Sequence, residues 1–322
     1  MDFPYFSWRR GREAAGELRR RLFPACESLD CPKRARMFPF SFLRGSGTEF
    51  DGRWYCSAEC LQRSVQLAVQ NLLARFLFER PRAYRLPLGL LLVNRGQITQ
   101  SQLQEALRLQ RIGGAGKLGA WLRQMNAASD EQLVNALAQQ WACPVYPLDR
   151  HPQVVHWNDV APFTLFEAVR AVPAHMSLDG RTLHVAFSER VDHTTLYALE
   201  RMLDCRTVAC VASEAAVSSL LEARSVIADR AEINFDTLRD APGIASAICS
   251  YVQRMEAPKL KLARAGTHLW ARLYRGREFR DIVFRIVPAA NSNLELPQRS
   301  AKEFSARADM PDEGVTGTSQ TI

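Results

Sequence analysis

Two stretches of this chain repeat each other at an offset of 30 residues, and that repeat limits the fold more than any other feature. The first reads Leu88-Gly89-x-x-Leu92, then Gly96, Thr99, Gln102-Leu103, Ala106-Leu107 and Gln110. The second reads Leu118-Gly119-x-x-Leu122, then Asn126, Ser129, Gln132-Leu133, Ala136-Leu137 and Gln140. Each unit predicts a short helix, a turn and a longer helix. Leu88 and Leu92, like Leu118 and Leu122, stand one helical turn apart on one face, and Gly89 or Gly119 beside them lets another backbone or a flat ligand come close. Gly96 and Asn126 suit the left-handed residue that ends a helix. Thr99 and Ser129 are N-caps, with Gln102 and Gln132 three residues later completing a capping box. Leucine and alanine at i, i+3 and i+4 bury the second helix. Gln110 and Gln140 continue that buried face and require polar partners.

These motifs resemble the MshEN module, the N-terminal domain of type II secretion and type IV pilus assembly ATPases, over residues 87–110 and 117–140. The resemblance extends through Val172-Pro173 and the segment Leu183 to Asp192, so that it spans roughly residues 84–224. It implies a helical half followed by an α/β half. It also implies cyclic di-GMP as a ligand, contacted through Leu88, Gly89, Leu92, Gly96 and Gln110 of the first motif and Lys117, Leu118, Gly119, Leu122 and Gln140 of the second. The family opens each motif with Arg; here Pro87 and Lys117 hold those places, and a lysine cannot fork onto phosphate as arginine does. Arg85 stands two residues upstream of the first. A weaker resemblance to the second N-terminal domain of secretion ATPases covers Asp240 to Ile248 and Leu269 to Gly276, with an acidic family strand replaced by the basic Ala257-Pro258-Lys259-Leu260-Lys261-Leu262.

Four of the eight cysteines form Cys26-x4-Cys31 and Cys56-x3-Cys60 around a 24-residue interval rich in glycine and aromatic residues. The interval suits a β-hairpin, and the second pair opens into a helical pattern from Leu61 to Phe78. The arrangement predicts a treble-clef-like zinc site, and Tyr55-Cys56-Ser57-x-x-Cys60 resembles small zinc fingers of the TRASH/MYM kind. Four thiolates close the coordination of tetrahedral zinc, so the metal is expected to be structural. Two disulfides are the rival arrangement, disfavoured in a reducing compartment. Cys143, Cys205, Cys210 and Cys249 read as buried thiols, and the six histidines show no ligand spacing.

The whole is expected to be an α+β protein. Its segments are a basic N-terminal stretch (1–25), a zinc module (26–62), a linker helix (63–83), the module at 84–224, a degenerate second domain (225–290) and a disordered polar tail (291–322). Residues 1–85 carry 16 Lys or Arg against 9 Asp or Glu, while the rest carry 26 against 25. An acidic partner would therefore meet the N-terminus, where Arg9, Arg10, Arg12, Arg19, Arg20 and Arg21 raise nucleic-acid binding as the alternative function. No stretch is apolar enough to span a membrane, and no apolar run follows the first arginines, so a cytoplasmic location is expected. Catalytic residues: none are expected. A phosphate loop needs G-x-x-x-x-G-K-[ST]; at Gly116-Lys117 the first glycine is Arg111 and the hydroxyl is Leu118. The leading expectation is a non-enzymatic regulator or adaptor that docks a secretion or pilus component or another protein.

Overall fold

The computed structural model describes residues 26–28, 30–31, 47–78, 85–113, 116–148, 157–228, 232–237 and 240–286. The basic stretch 1–25 and the tail 291–322 lie outside the described residues. In chain order the elements are β1 (Thr48–Phe50), β2 (Arg53–Tyr55), α1 (Ala58–Phe78), α2 (Leu88–Asn94), α3 (Gln100–Gly113), α4 (Leu118–Gln124), α5 (Asp130–Trp141), α6 (Trp157–Val160), α7 (Phe163–Val169), β3 (Ala171–Met176), β4 (Thr182–Phe187), α8 (His193–Leu203), β5 (Arg206–Val211), α9 (Glu214–Ala228), β6 (Glu232–Phe235), α10 (Ala241–Met255), β7 (Lys259–Ala265), β8 (His268–Arg275) and β9 (Glu278–Arg285). The mixture is α+β. Among the described residues no helix is long and apolar enough to cross a membrane.

Two sheets organise the molecule: a larger one in the order β2-β1-β7-β8-β9-β6 and a smaller one in the order β3-β4-β5. β1 and β2 join through Asp51 and Gly52, whose φ values of 50° and 75° give the turn the twist a tight hairpin needs. β1 then pairs in parallel with β7, Glu49 opposite Lys259 and Phe50 opposite Leu260. Thr48 fixes the junction by donating its hydroxyl to the Ala257 carbonyl at 3.0 Å. The cysteine-bearing module is thus an edge of the sheet built by residues 232–285. The linear division drawn from sequence placed these two segments in separate domains, because the strand pairing between them crosses some two hundred residues.

The larger sheet is buried on both faces at its centre, where six consecutive residues of β8, His268 to Leu273, are buried. Leu260, Leu262, Leu269, Ala271, Leu273, Ile282 and Phe284 point to one side. There they meet α1 (Leu61, Val65, Val69) and α10 (Ile244, Ile248, Val252), together with Cys26, Cys31 and Cys60. Ala263, Ala265, Trp270 and Val283 point to the other side and join the core of the smaller sheet, with Phe166, Val185, Phe187, Leu199 and Met202. The alternation follows the period-two geometry of strands.

Polar contacts pin this second interface. Arg272 and Asp281 form a two-point ion pair, Nε to Oδ1 at 2.7 Å and Nη2 to Oδ2 at 2.8 Å, with side chains only 2% and 6% exposed. Trp270 Nε1 donates to the same carboxylate at 2.7 Å, and Arg272 Nη1 donates to the Asp159 carbonyl of α6 at 3.0 Å. Lys261 reaches the end of α8, donating to the Arg201 and Met202 carbonyls and to Asp204 at 3.2, 3.0 and 2.6 Å. A cation suits the negative end of a helix dipole. That is the work of the basic strand at this place: it caps a helix of the neighbouring unit.

Local boundaries differ from the sequence expectation before β3. The pattern from Pro162 to Val172 reads as one helix, but α7 stops at Val169 because Arg170 turns left-handed, with φ of 50°, and its carbonyl accepts from Ser188 N. The hairpin at Asp179-Gly180 joins β3 to β4 as the sequence indicates.

Candidate ligand cavity and metal centre

The two repeats close on each other reciprocally. Gln110 at the end of α3 donates its amide to the Gly116 carbonyl at 2.9 Å, two residues before Leu118. Gln140 of α5 donates to the Leu86 carbonyl at 2.8 Å, two residues before Leu88. Each glutamine therefore fastens the start of the other repeat. The capping boxes are formed at both sites: Gln102 N donates to Thr99 Oγ1 and Gln132 N to Ser129 Oγ, both at 3.2 Å, and each glutamine accepts from the cap's own N–H at 2.8 Å. Gly96 and Asn126 take φ values of 66° and 52°.

The repeat core is a small cluster containing Leu92, Ile98, Leu103, Ala106, Leu122, Ala128, Leu133 and Ala136. Leu92 and Leu122 are wholly buried, so in this conformation neither offers a surface to a ligand. Leu88 and Leu118 are half-buried, Gly96 is exposed, and Gly89 and Gly119 face the packing between α2 and α4. The two glycines are not equivalent. A Cβ on Gly89 would come within 2.4 Å of Leu103 Cδ1 and 3.1 Å of Leu118 Cδ2, whereas on Gly119 it would find its neighbours at 3.8 Å or beyond. We expect Gly89→Ala to cost about 1 kcal/mol through overpacking and Gly119→Ala to be neutral or stabilising by up to about 1 kcal/mol. Equal denaturation midpoints for the two variants would show instead that the repeats are interchangeable.

Beside the second repeat lies a cavity of about 430 Å³. Leu88, Leu133, Val134, Leu137 and Trp141 form its apolar wall. Gly116, Lys117, Gly119 and Gln140 come from the repeat, as do Arg123 and Asp130, and Ser188, Glu189, Arg190 and Glu214 come from the α/β half. The cavity thus gathers Leu88, Lys117, Gly119 and Gln140 from the sequence candidates. Gly89, Leu92, Gly96, Gln110, Leu118 and Leu122 are not among its lining residues. Sequence reasoning missed Arg123, Trp141, Glu189, Arg190 and Glu214; Arg123 falls at a variable position of the motif, Trp141 just beyond its last residue, and the others come from distant segments. Lys117 pairs with Glu189, and Arg123 pairs with Glu214 at 2.7 Å and Asp130 at 3.0 Å. Burial lowers the Lys117 ammonium below its usual range, Glu214 opposes that shift, and Arg170 and Arg190 add to it. Arg85 lies outside the lining. Its guanidinium stacks 3.7 Å from the Trp141 ring and donates to the Gln140 carbonyl at 3.1 Å.

The other constellation is the thiol cluster. Cys26 and Cys31 lie on the knuckle that precedes β1; Cys56 follows β2 and Cys60 sits in the first turn of α1. Their sulfurs all lie within 4.8 Å of one another, with Cys31 and Cys56 at 3.4 Å. Zinc–sulfur bonds of about 2.3 Å place tetrahedral thiolates about 3.8 Å apart, so the four fit one ion. All eight cysteines are free, which leaves the two-disulfide arrangement without a bond in this structure. Burial, and then contacts with the Cys31 and Cys26 sulfurs, push the Cys56 thiol far above its usual range, and burial also raises Cys26. A divalent cation reverses that preference by stabilising the thiolates. Among the described residues this is the one group of three or more potential ligands brought together. Arg63 of α1 clamps the knuckle through Asp30 at 2.6 Å.

No protein-family model matches the chain, and no curated protein matches it. Among solved structures, that of MshE with cdg is 31% identical, covering 43% of this chain and 99% of that one, with a TM-score of 0.37. Two crystal forms of the N-terminal domain of XpsE are 14% and 17% identical. Each covers 45% of this chain, and 97% and 98% of their own, with TM-scores of 0.33 and 0.26.

Proposed function

We propose that this protein is a non-catalytic regulatory or docking protein related to secretion and pilus ATPase N-terminal domains. In this reading the cavity beside the second repeat receives a cyclic dinucleotide, and the four thiols hold a structural zinc. The observation that carries the first part is the cavity itself. An apolar wall ending in Trp141 suits the faces of nucleobases, and Lys117, Arg123 and Arg190 line the same space and suit phosphates. The glutamines that close each repeat on the other give the wall a fixed shape. MshE, whose structure with cdg resembles this chain, supplies the ligand to try first. A non-catalytic role fits the place of Gly116-Lys117: the Gly116 carbonyl accepts from Gln110 of the first repeat and Lys117 pairs with Glu189 of the α/β half, so both hold parts of the fold together.

The test is calorimetric titration with cyclic di-GMP. Binding should be weak, because the forked guanidinium of the family motif is missing at Pro87 and Lys117, at about ten- to a hundredfold per lost charge-assisted contact. Trp141→Ala should weaken it further by removing the stacking wall, about tenfold or more. Heats indistinguishable from buffer at millimolar ligand, in this protein and in variants relieved of the cavity's carboxylates, would remove the nucleotide reading and leave the repeats as a docking scaffold.

A further inference from the structure

The cavity is electrically balanced. Its lining carries Lys117, Arg123 and Arg190 against Asp130, Glu189 and Glu214. More tellingly, the pairs are formed across the boundary between the repeats and the α/β half. Glu189, just after β4, holds Lys117, and Glu214, in the first turn of α9, holds Arg123 at 2.7 Å. An anionic ligand entering here meets Lys117 and Arg123 already held by carboxylates, with Arg190 beside them on the same wall. Resting on the nucleotide reading of this cavity, we propose that Glu189 and Glu214 are resident anions that occupy the phosphate positions. A phosphodiester ligand displaces them, and in doing so releases the ionic grip of the α/β half on the second repeat.

Three observations converge on this. Both carboxylates come from the α/β half, while both cations come from α4 and the residue that caps it, so exchange of partners acts on the boundary and not within one element. Glu189 is largely covered, its side chain 21% exposed, and Lys117 lies in surroundings that Arg170 and Arg190 make more positive, so an anion is needed there whether or not a ligand is bound. The Lys117 partner sits beside Ser188 and Arg190 on the same short segment, and all three line the cavity, so that movement of Glu189 moves the wall.

The experiment is cyclic di-GMP titration of the full chain and of Glu189→Gln, Glu214→Gln and the double variant, with amide hydrogen exchange on the wild type. Removing a competing carboxylate while keeping its length should tighten binding about tenfold for each, the size of one charge-assisted contact, and more for the pair. Glu105→Gln, which breaks the Arg108 pair on α3 outside the cavity, should change nothing. Saturating ligand should speed exchange at residues 188–191 and in the first turn of α9. Tightening, with faster exchange there, supports the proposal, and so does binding that appears only in the double variant. Wild-type binding that the glutamine variants leave unchanged or weaken, or slower exchange at those residues on saturation, overturns it while the nucleotide reading stands. Silence in all four proteins removes both.

Discussion

Removing zinc from the four-thiol cluster, by chelation or by Cys56→Ser, is expected to unfold the unit formed by residues 47–78 and 240–286 together, rather than a separate N-terminal head. Structural zinc supplies an apparent binding free energy of about 10–16 kcal/mol in small finger peptides, as much as the whole stability of a typical domain. Here that energy acts on a segment with two three-residue strands, whose main further supports among the described residues are the β1–β7 pairing and the packing of α1 on α10. Cys26, Cys31 and Cys60 belong to the same buried cluster as Ile244, Leu260 and Phe284, so loss of the metal opens that cluster from one end. Purified protein should carry about one zinc per chain. Hydrogen exchange on the Cys56→Ser protein should show protection lost in α1, β7 and α10 together, with β3 to β5 holding longer because their core lies on the face of the larger sheet away from the thiols. Absence of zinc from protein purified under reducing conditions would end the metal reading. Loss confined to residues 26–60 would end the claim of a single unit.

The second large effect is expected at the buried ion pair. Asp281→Ala should cost about 3–5 kcal/mol, since it leaves the Arg272 guanidinium and the Trp270 indole N–H buried without their acceptor. Replacing both partners with apolar residues, as in Arg272→Met with Asp281→Leu, should cost much less than Asp281→Ala alone, because the expense lies in stranding a charge. Urea denaturation of the two single variants and the double one gives the cycle directly. A cost below about 1 kcal/mol for Asp281→Ala would mean that water reaches the pair and that the wall between the two units is looser than its 2% and 6% exposures indicate.

What the sequence discloses is local. Thr99 with Gln102 and Ser129 with Gln132 announce their helices because a capping box is completed within four residues, and Gly96 and Asn126 announce the turns because few residues accept positive φ. Arg170 and Ala142 end helices in the same conformation without announcing it, since nothing in an arginine or an alanine advertises a left-handed backbone. Leu92 and Leu122 show the limit from another side. Periodicity says that they are buried but not against what, and the structure gives them to the repeat core. The thiol cluster is legible as spacing, yet its union with β7 is not, because parallel pairing leaves no local mark. Likewise Glu189 and Glu214 carry no motif. They matter only because β4 and α9 bring them beside α4.

The pairing of β1 with β7 has a consequence for the order in which the chain acquires structure. Thr48 must wait for Ala257, and at about 5–20 residues per second of synthesis that interval is about 10–40 s. The intervening segment from α2 to α9, with its own sheet and repeat core, is made first, while the early hairpin stands with an unpaired edge, the kind of edge that recruits the wrong strand. All four thiols lie between residues 26 and 60, so they emerge long before β7 does. Metal capture at that stage would fold the knuckle and shield the cysteines from oxidation, holding the hairpin closed until β7, made some two hundred residues later, arrives to take its place beside β1.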